Sequence, residues 1–376
     1  VKSAQQMVLT AQDLRAAGIE IPLFVGGAAL TRKFTATRIA PEYGGPTLYA
    51  KDAMDGLDLA NRLFSATSRE TLLARLRNEQ QALRAGSAAA AAAPAGPAVA
   101  AAQRSSVSRT VPVPTPPDLA LHVLRAVPLG HIFPYLNVQM LLGKHLGLRG
   151  PVSRLLAEGD PTAVEMLEIV EALEREAVAQ GLLRADGLYR FFEARAAGET
   201  LMLYDGGREL ARLRFPRQPA GERLCLADYV RDADSGEPDY VALFAVTCGA
   251  GVRPRTEAWK EAGQYLRSHA LQALAIECAE AFAEMLHARL RTQWGFPDSP
   301  GVAMEDRLKG RYRGIRVSFG YPACPDLGQQ RILFDLLHPE QIGLTLTEGF
   351  MMDPEASVSA LVFHHPEAKY FKADDV

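Results

Sequence analysis

The stretch from residue 85 to residue 118 decides how the rest of the chain can fold. It runs from Ala85-Gly86-Ser87 through an alanine tract to Pro94 and Pro97, and ends in Val111-Pro112-Val113-Pro114-Thr115-Pro116-Pro117. Almost no large apolar side chain occurs there, so the stretch cannot bury enough surface to offset the entropy lost on ordering. Its alanines favour a transient helix that Pro94 and Pro97 interrupt, and its proline-rich end is stiff and extended. Residues 85–118 therefore read as a flexible linker. The chain on either side, 1–84 and 119–376, is expected to fold on separate cores.

The first part alternates helix and strand. A helical pattern is already running at Ala4, Met7, Val8 and Ala11, and Val1 is not an initiator methionine; the start is expected to fall inside a domain. Ile21-Pro22-Leu23-Phe24-Val25, closed by Gly26-Gly27, has the form of a buried parallel strand. A helix over Thr35–Ile39, a second strand at Pro46-Thr47-Leu48-Tyr49-Ala50 and a helix from Ala53 to Phe64 follow. This is about one and a half units of an open, Rossmann-like α/β sheet, too little for a whole domain.

The second part mixes elements differently. Met166, Ile169, Val170, Leu173 and Ala177 recur with helical spacing. Strands are expected at Leu188–Glu193, Leu201–Tyr204, Glu209–Phe215, Tyr240–Val246, Ile315–Phe319 and Val358–Phe363, with Asp205-Gly206-Gly207-Arg208 as a hairpin turn. Leu271, Leu274, Cys278, Ala281, Phe282 and Met285 mark the apolar face of a long helix. Hairpins with separate helices imply an α+β domain on a mainly antiparallel sheet.

Composition narrows the function classes. A net charge of -3 gives no basic footprint for nucleic acid. No apolar run approaches the roughly 20 residues a membrane span needs. Cys225, Cys248, Cys278 and Cys324 form no CxxC pair, which suits reduced thiols in a cytoplasmic protein and offers no metal knuckle.

Chemistry concentrates in Arg316-Val317-Ser318-Phe319-Gly320-Tyr321-Pro322-Ala323-Cys324-Pro325. Arg316 offers a planar fork for a carboxylate, Gly320 lets backbone approach a ligand, and Tyr321 adds a flat ring with a polar tip. These groups suit a zwitterionic amino acid joined to a base; an ordinary strand end with a surface arginine is the plainer alternative. Glu277, Glu280 and Glu284 share one helix face, as a ligand-holding cluster or as a solvated face. His364 and His365 would point to opposite sides of a strand and make a poor metal pair. Cys324 lacks a local base and reads as structural. No catalytic residue and no metal site is assigned.

The Arg-x-x-x-Gly-Tyr-Pro-Ala-Cys-Pro run, Arg316 to Pro325, resembles the signature of the activation domain of cobalamin-dependent methionine synthases. Leu226-Ala227-Asp228-Tyr229-Val230, Phe244-Ala245-Val246-Thr247, Ala279-Glu280-Ala281-Phe282-Ala283-Glu284, Leu346-Thr347-Glu348, Ala356-Ser357-Val358-Ser359 and His365-Pro366-Glu367-Ala368-Lys369-Tyr370 are similar to segments of the same family. Upstream, Pro22 to Ala28 and Gly45 to Tyr49 resemble the end of its cobalamin-binding domain.

The resemblance implies the C-terminal part of an enzyme that moves a methyl group from methyltetrahydrofolate through cobalamin to homocysteine. Residues 1–84 would end the cobalamin-binding domain. Residues 119–376 would bind S-adenosyl-methionine and restore methylcobalamin from inactive cob(II)alamin, with flavodoxin or another reductase as electron donor. It further implies that Arg316 binds the methionyl carboxylate and Glu280 polar groups of the ligand. Ser318, Phe319, Gly320 and Tyr321 would line the site, Tyr321 would face the corrin, and Tyr370 and Phe371 would flank the ligand. Gly26, Gly27, Ala28 and Ala53 would border the nucleotide tail of cobalamin. The family's Asp-Trp-x-Pro-Phe-Phe segment stands here as His131-Ile132-Phe133-Pro134-Tyr135, and whether His131 replaces the aspartate is left open. The Asp-x-His-x-x-Gly motif that supplies cobalt's lower histidine is not in this chain. The homocysteine, folate and cobalamin-cap domains, with the family's zinc site, would lie upstream. A stand-alone S-adenosyl-methionine-binding module and a corrinoid-binding scaffold are the alternatives.

Overall fold

A computed structural model describes residues 2–26, 30–50, 53–65, 67–92 and 104–373. The chain divides into two compact units, residues 1–102 with 347–351 and residues 103–346 with 352–376.

In the first unit, β1 (Leu23–Gly26) and β2 (Thr47–Ala50) pair in parallel, Leu23 opposite Thr47 and Gly26 opposite Ala50. Parallel neighbours need a crossover. Here it contains the short helix Arg32–Phe34, the π-helical turn Thr35–Ile39 and the turn Ala40–Glu42. The helices Lys2–Ala16, Ala53–Phe64 and Arg69–Ala92 complete the unit. Ala11, Val25, Leu30, Ile39 and Tyr43 form one core cluster, and Leu48, Leu63 and Leu72 a second. A Cβ at Gly26 would lie 2.2 Å from the Ala50 carbonyl oxygen, so the close approach of the two strands by itself requires glycine there. Gly27 and Ala28 lie outside the described residues, and Ala53 opens the Ala53–Phe64 helix.

The flexible linker expected over 85–118 carries defined structure at both ends. The Arg69–Ala92 helix runs on through the alanine tract, as the high helix propensity of alanine favours. Residues 104–118 are tied to the second unit. Val107 is buried. Arg104 pairs with Asp232, and Arg109 with both Asp228 and Asp232. The Trp294 indole donates to the Pro114 carbonyl at 2.9 Å. Polar side chains, with Val107, thus tie down a segment that has almost no large apolar ones. Residues 93–103 lie outside the described residues.

The second unit is built on β3 (His122–Leu124), β4 (Asp186–Ala197), β5 (Thr200–Asp205), β6 (Arg208–Arg214), β7 (Asp239–Thr247), β8 (Ile315–Val317) and β11 (Ser357–Phe363), with β9 (Thr345–Leu346) and β10 (Met352–Asp353) as a separate small pair. The large sheet runs β6-β5-β4-β7-β11-β8, with β3 also on β4, and its pairs are antiparallel. The β5–β6 hairpin turns through Gly206 and Gly207, both at positive φ, as a tight two-residue turn demands.

Both faces of this sheet are covered. Phe244 and Val246 of β7 enter one core with Val358, Ala360 and Val362 of β11. Leu243 and Ala245 enter the other with Leu361 and Phe363. Burial on two sides explains why β7 reads as an unbroken apolar run. The helix Pro161–Gln180 is set by Asp160, whose side chain accepts from the Ala163 N–H, and ends at Gly181 in the left-handed region. The long helix Tyr265–Gln293 lies on the first core. It is buried on more than the expected stripe, since Ala273, Ala275, Ala279 and Leu286 are buried as well. No described helix is long and apolar enough to cross a membrane.

Candidate functional site

The register of β8 brings a strand and a helix together chemically. Ile315 and Val317 are buried in the second core, so Arg316 between them turns to the opposite face of the strand. There the Arg316 guanidinium, through Nη1, donates to Oε2 of Glu284 on the long helix and to the Tyr312 hydroxyl at 3.3 Å. Tyr312 in turn donates to the same Glu284 oxygen at 3.4 Å. The side chain of Glu284 is 5% exposed and that of Arg316 17%. Burial opposes the charge on Arg316, yet Glu284, Tyr312 and Tyr370 outweigh it and hold the guanidinium firmly protonated.

The signature turn is pegged at both ends. Phe319 and Cys324 are buried in the core. The Gly320 N–H donates to the Cys324 carbonyl, and the Cys324 N–H to the Tyr321 carbonyl, each at 2.8 Å. Gly320 takes φ +84°, a conformation that favours glycine. Tyr321 projects outward, 58% exposed. Burial pushes the Cys324 thiol up to about 12, which fits a structural rather than a nucleophilic cysteine. The C-terminal tail docks on this turn, where the Ala373 N–H donates to the Pro322 carbonyl at 3.1 Å, and separately on Tyr229, which donates to the Lys369 carbonyl at 3.3 Å.

These pieces enclose a cleft of about 510 Å³ lined by Glu280, Arg316, Ser318, Tyr321, Tyr370 and Phe371, together with Pro322 and Lys372. The volume and mixed lining suit a small-molecule ligand. Burial raises the Glu280 carboxyl above its ordinary range; Arg316 counteracts this and Glu284 adds to it. Six sequence candidates therefore meet in one place. Three do not. The Phe319 side chain is core, Gly320 is absent from the lining, and His131 is exposed on the short helix Leu129–Ile132, outside the cleft lining.

The acidic cluster is not a solvated face. Glu277 and Glu284 are each 4% exposed. Glu277 accepts from the Asn137 N–H at 3.3 Å and lies 3.6 Å from His145, whereas Glu284 pairs with Arg316. Sequence reading missed Tyr312 and His287, a fully buried imidazole edge-on to the Tyr312 ring. The spacing Glu280, Glu284, His287, Arg291 along one helix was a usable signal. His364 and His365 serve different partners, Asp239 and the Ser108 carbonyl. Among the described residues no group of His, Cys, Asp and Glu is arranged to hold a metal ion.

The second unit is an antiparallel α+β domain in which a guanidinium, carboxylates and aromatic rings converge on one cleft. The family model for the vitamin B12 dependent methionine synthase activation domain matches residues 131–376, and the chain belongs to that family. It is 31% identical to the methionine synthase of Mycobacterium tuberculosis over 99% of this chain and 34% of that protein. It is also 31% identical to the methionine synthase of Mycobacterium leprae over 99% of this chain and 33% of that protein. The chain thus spans about a third of the length of these relatives. A crystal structure of the MetH reactivation domain bound to AdoHcy superposes with a TM-score of 0.67 at 28% identity, covering 71% of this chain and 85% of that one.

Proposed function

We propose that the cleft binds S-adenosyl-methionine and that the second unit serves as the reactivation domain of a larger methionine synthase. The observation that carries this is the convergence of Glu280, Arg316, Ser318, Tyr321, Tyr370 and Phe371 on one cleft of about 510 Å³. Nη1 of Arg316 is held by Glu284 and Tyr312. The rest of the guanidinium would take the methionyl carboxylate. Glu280 would accept from the ligand's ammonium group, and Tyr321, Tyr370 and Phe371 would flank its apolar and nucleoside parts. The related reactivation domain bound to AdoHcy, a ligand with the same carboxylate, ammonium and adenosyl groups, supports this reading.

In this proposal the first unit ends a cobalamin-binding domain, with Gly26, Gly27, Ala28 and Ala53 toward the nucleotide tail. The match to methionine synthases across nearly the whole chain supports it. Bound cobalamin would supply the cobalt that accepts the methyl group. The chain carries no Asp-x-His-x-x-Gly motif, and the close strand approach accounts for Gly26, so its residues do not by themselves specify that cofactor. The upstream homocysteine, folate and cap domains, a flavodoxin-like electron donor and a cytoplasmic setting belong to the same proposal for the full-length protein. So does methyl transfer, which this chain is not expected to catalyse alone.

Equilibrium dialysis of the full chain against labelled S-adenosyl-methionine tests the ligand assignment. Saturable binding that AdoHcy displaces is the expected result; no saturable binding would remove the proposal.

A further inference from the structure

The charges that burial keeps from solvent around the cleft do not balance. Arg316 contributes one positive charge, and the two carboxylates of Glu280 and Glu284 stand on adjacent turns of the helix facing it. Lys372 also lines the cleft, but its side chain is exposed, so solvent screens its charge. Glu284 is buried against Arg316, and its Oε1 is buried with no hydrogen-bond partner among the described residues. Its field is therefore poorly screened. Three aromatic rings, Tyr321, Tyr370 and Phe371, form the remaining wall, and aromatic faces attract cations. A guanidinium matched by one buried carboxylate, a second carboxylate and aromatic faces together favour a ligand with net positive charge. Simple binding of a carboxylate needs only the arginine; the added negative charge works against a plain anion.

We propose that Glu284, buried behind Arg316, acts with Glu280 as a specificity-determining pair that makes the cleft prefer the sulfonium form of its ligand over the neutral thioether. This rests on the S-adenosyl-methionine reading above and deepens it. S-adenosyl-methionine and AdoHcy share the carboxylate, the ammonium group and the nucleoside, and differ by one methyl group and one positive charge. The pair would thus let the domain take the methyl donor while releasing the demethylated product. The effect is electrostatic: taking one negative charge from the site penalises the cation relative to its neutral analogue, whatever the change does to packing.

The test is calorimetric titration of the full chain with each ligand, comparing Glu284→Gln, Glu280→Gln and Glu284→Asp with the parent, alongside a thermal melt of each. For Glu284→Gln the ratio of the two dissociation constants should shift against S-adenosyl-methionine by roughly three- to tenfold. Glu284→Asp, which keeps the charge, should keep the parental ratio. Where Glu284→Gln does not fold, Glu280→Gln must shift the ratio in the same direction. Equal weakening of both ligands, with the ratio unchanged in the folded glutamine variants, would overturn the selection while leaving the ligand assignment intact. A parent chain that binds neither ligand would overturn the assignment and the selection together.

Discussion

Glu284 and Arg316, 32 residues apart in sequence, form an ion pair of which only Arg316 lines the cleft. One lies on the long helix and the other on the edge strand β8. The pair fixes one end of the guanidinium, so ligand recognition at Arg316 depends on a helix residue that never lines the cleft.

Asp228 is a second buried charge, outside the cleft, that several partners match. It is 2% exposed and accepts from Arg217 at 2.5 and 2.9 Å, Ser105 at 2.6 Å, Arg109 at 3.0 Å and the Cys225 N–H at 3.2 Å. Burial alone would raise its carboxyl, but the bonds from Arg217 and Ser105 and the charges of Arg217 and Arg109 hold it below its ordinary range. Asp228→Ala strands Arg217, whose side chain is 8% exposed. It should cost about 3–5 kcal/mol of stability, read by urea unfolding; a loss below about 1 kcal/mol would contradict this account.

A truncation series tests the corrected linker boundary. A chain starting at residue 104 retains the contacts of Val107, Arg109 and Pro114 with the second unit, whereas one starting at 119 loses them. The longer fragment should melt several degrees higher, since about 1 kcal/mol moves the melting point of a large domain by roughly 2–4 °C. Equal melting points would return residues 104–118 to the tether.

Much of the second unit was legible in the sequence because its strands carry strong local signals. The apolar run at Leu201–Tyr204, the glycine pair at Gly206-Gly207 and the apolar run at Tyr240–Val246 correspond to β5, the hairpin and β7. Arg316, Ser318, Tyr321, Glu280, Tyr370 and Phe371 were named from the signature and its family resemblance, and the fold brings them to one cleft. What could not be read is long-range. Residues 104–118 looked like a tether because their partners, Asp228, Asp232 and Trp294, lie more than a hundred residues away. The carboxylates of Glu277 and Glu284 could be read as ligand-holding or as solvated, because the groups that pair with them, at Asn137 and Arg316, come from other elements.

Glu277 should make stability depend on pH. Burial, with a smaller push from Glu280 and opposed by the Asn137 N–H, raises its carboxyl from 4.5 to about 7. Between those values the folded chain keeps a proton that the unfolded chain releases, so its contribution to stability falls as pH rises through the window. Glu277→Gln should remove that slope and stabilise the protein above pH 7 by roughly 2–4 kcal/mol. Denaturant unfolding at pH 5 and pH 8 checks it; an unchanged difference between the two would contradict the assignment.

The two glutamates should separate in binding. Glu280 lines the cleft and Glu277 faces Asn137 and His145. Glu280→Gln should weaken S-adenosyl-methionine binding by about tenfold, on the scale of one charge-assisted hydrogen bond, while Glu277→Gln leaves it near the parental value. Equal small effects at both positions would detach the acidic cluster from the ligand.

Arg316→Ala, measured by calorimetric titration of the full chain with S-adenosyl-methionine, tests the central claim most directly. Loss of a charge-assisted pair to the ligand carboxylate is worth about 1.5–3 kcal/mol, so affinity should fall roughly ten- to a hundredfold. Arg316→Lys should recover only part of it, because an ammonium lacks the planar fork. An alanine variant that stays folded in a thermal melt and binds with the parental dissociation constant would contradict the account.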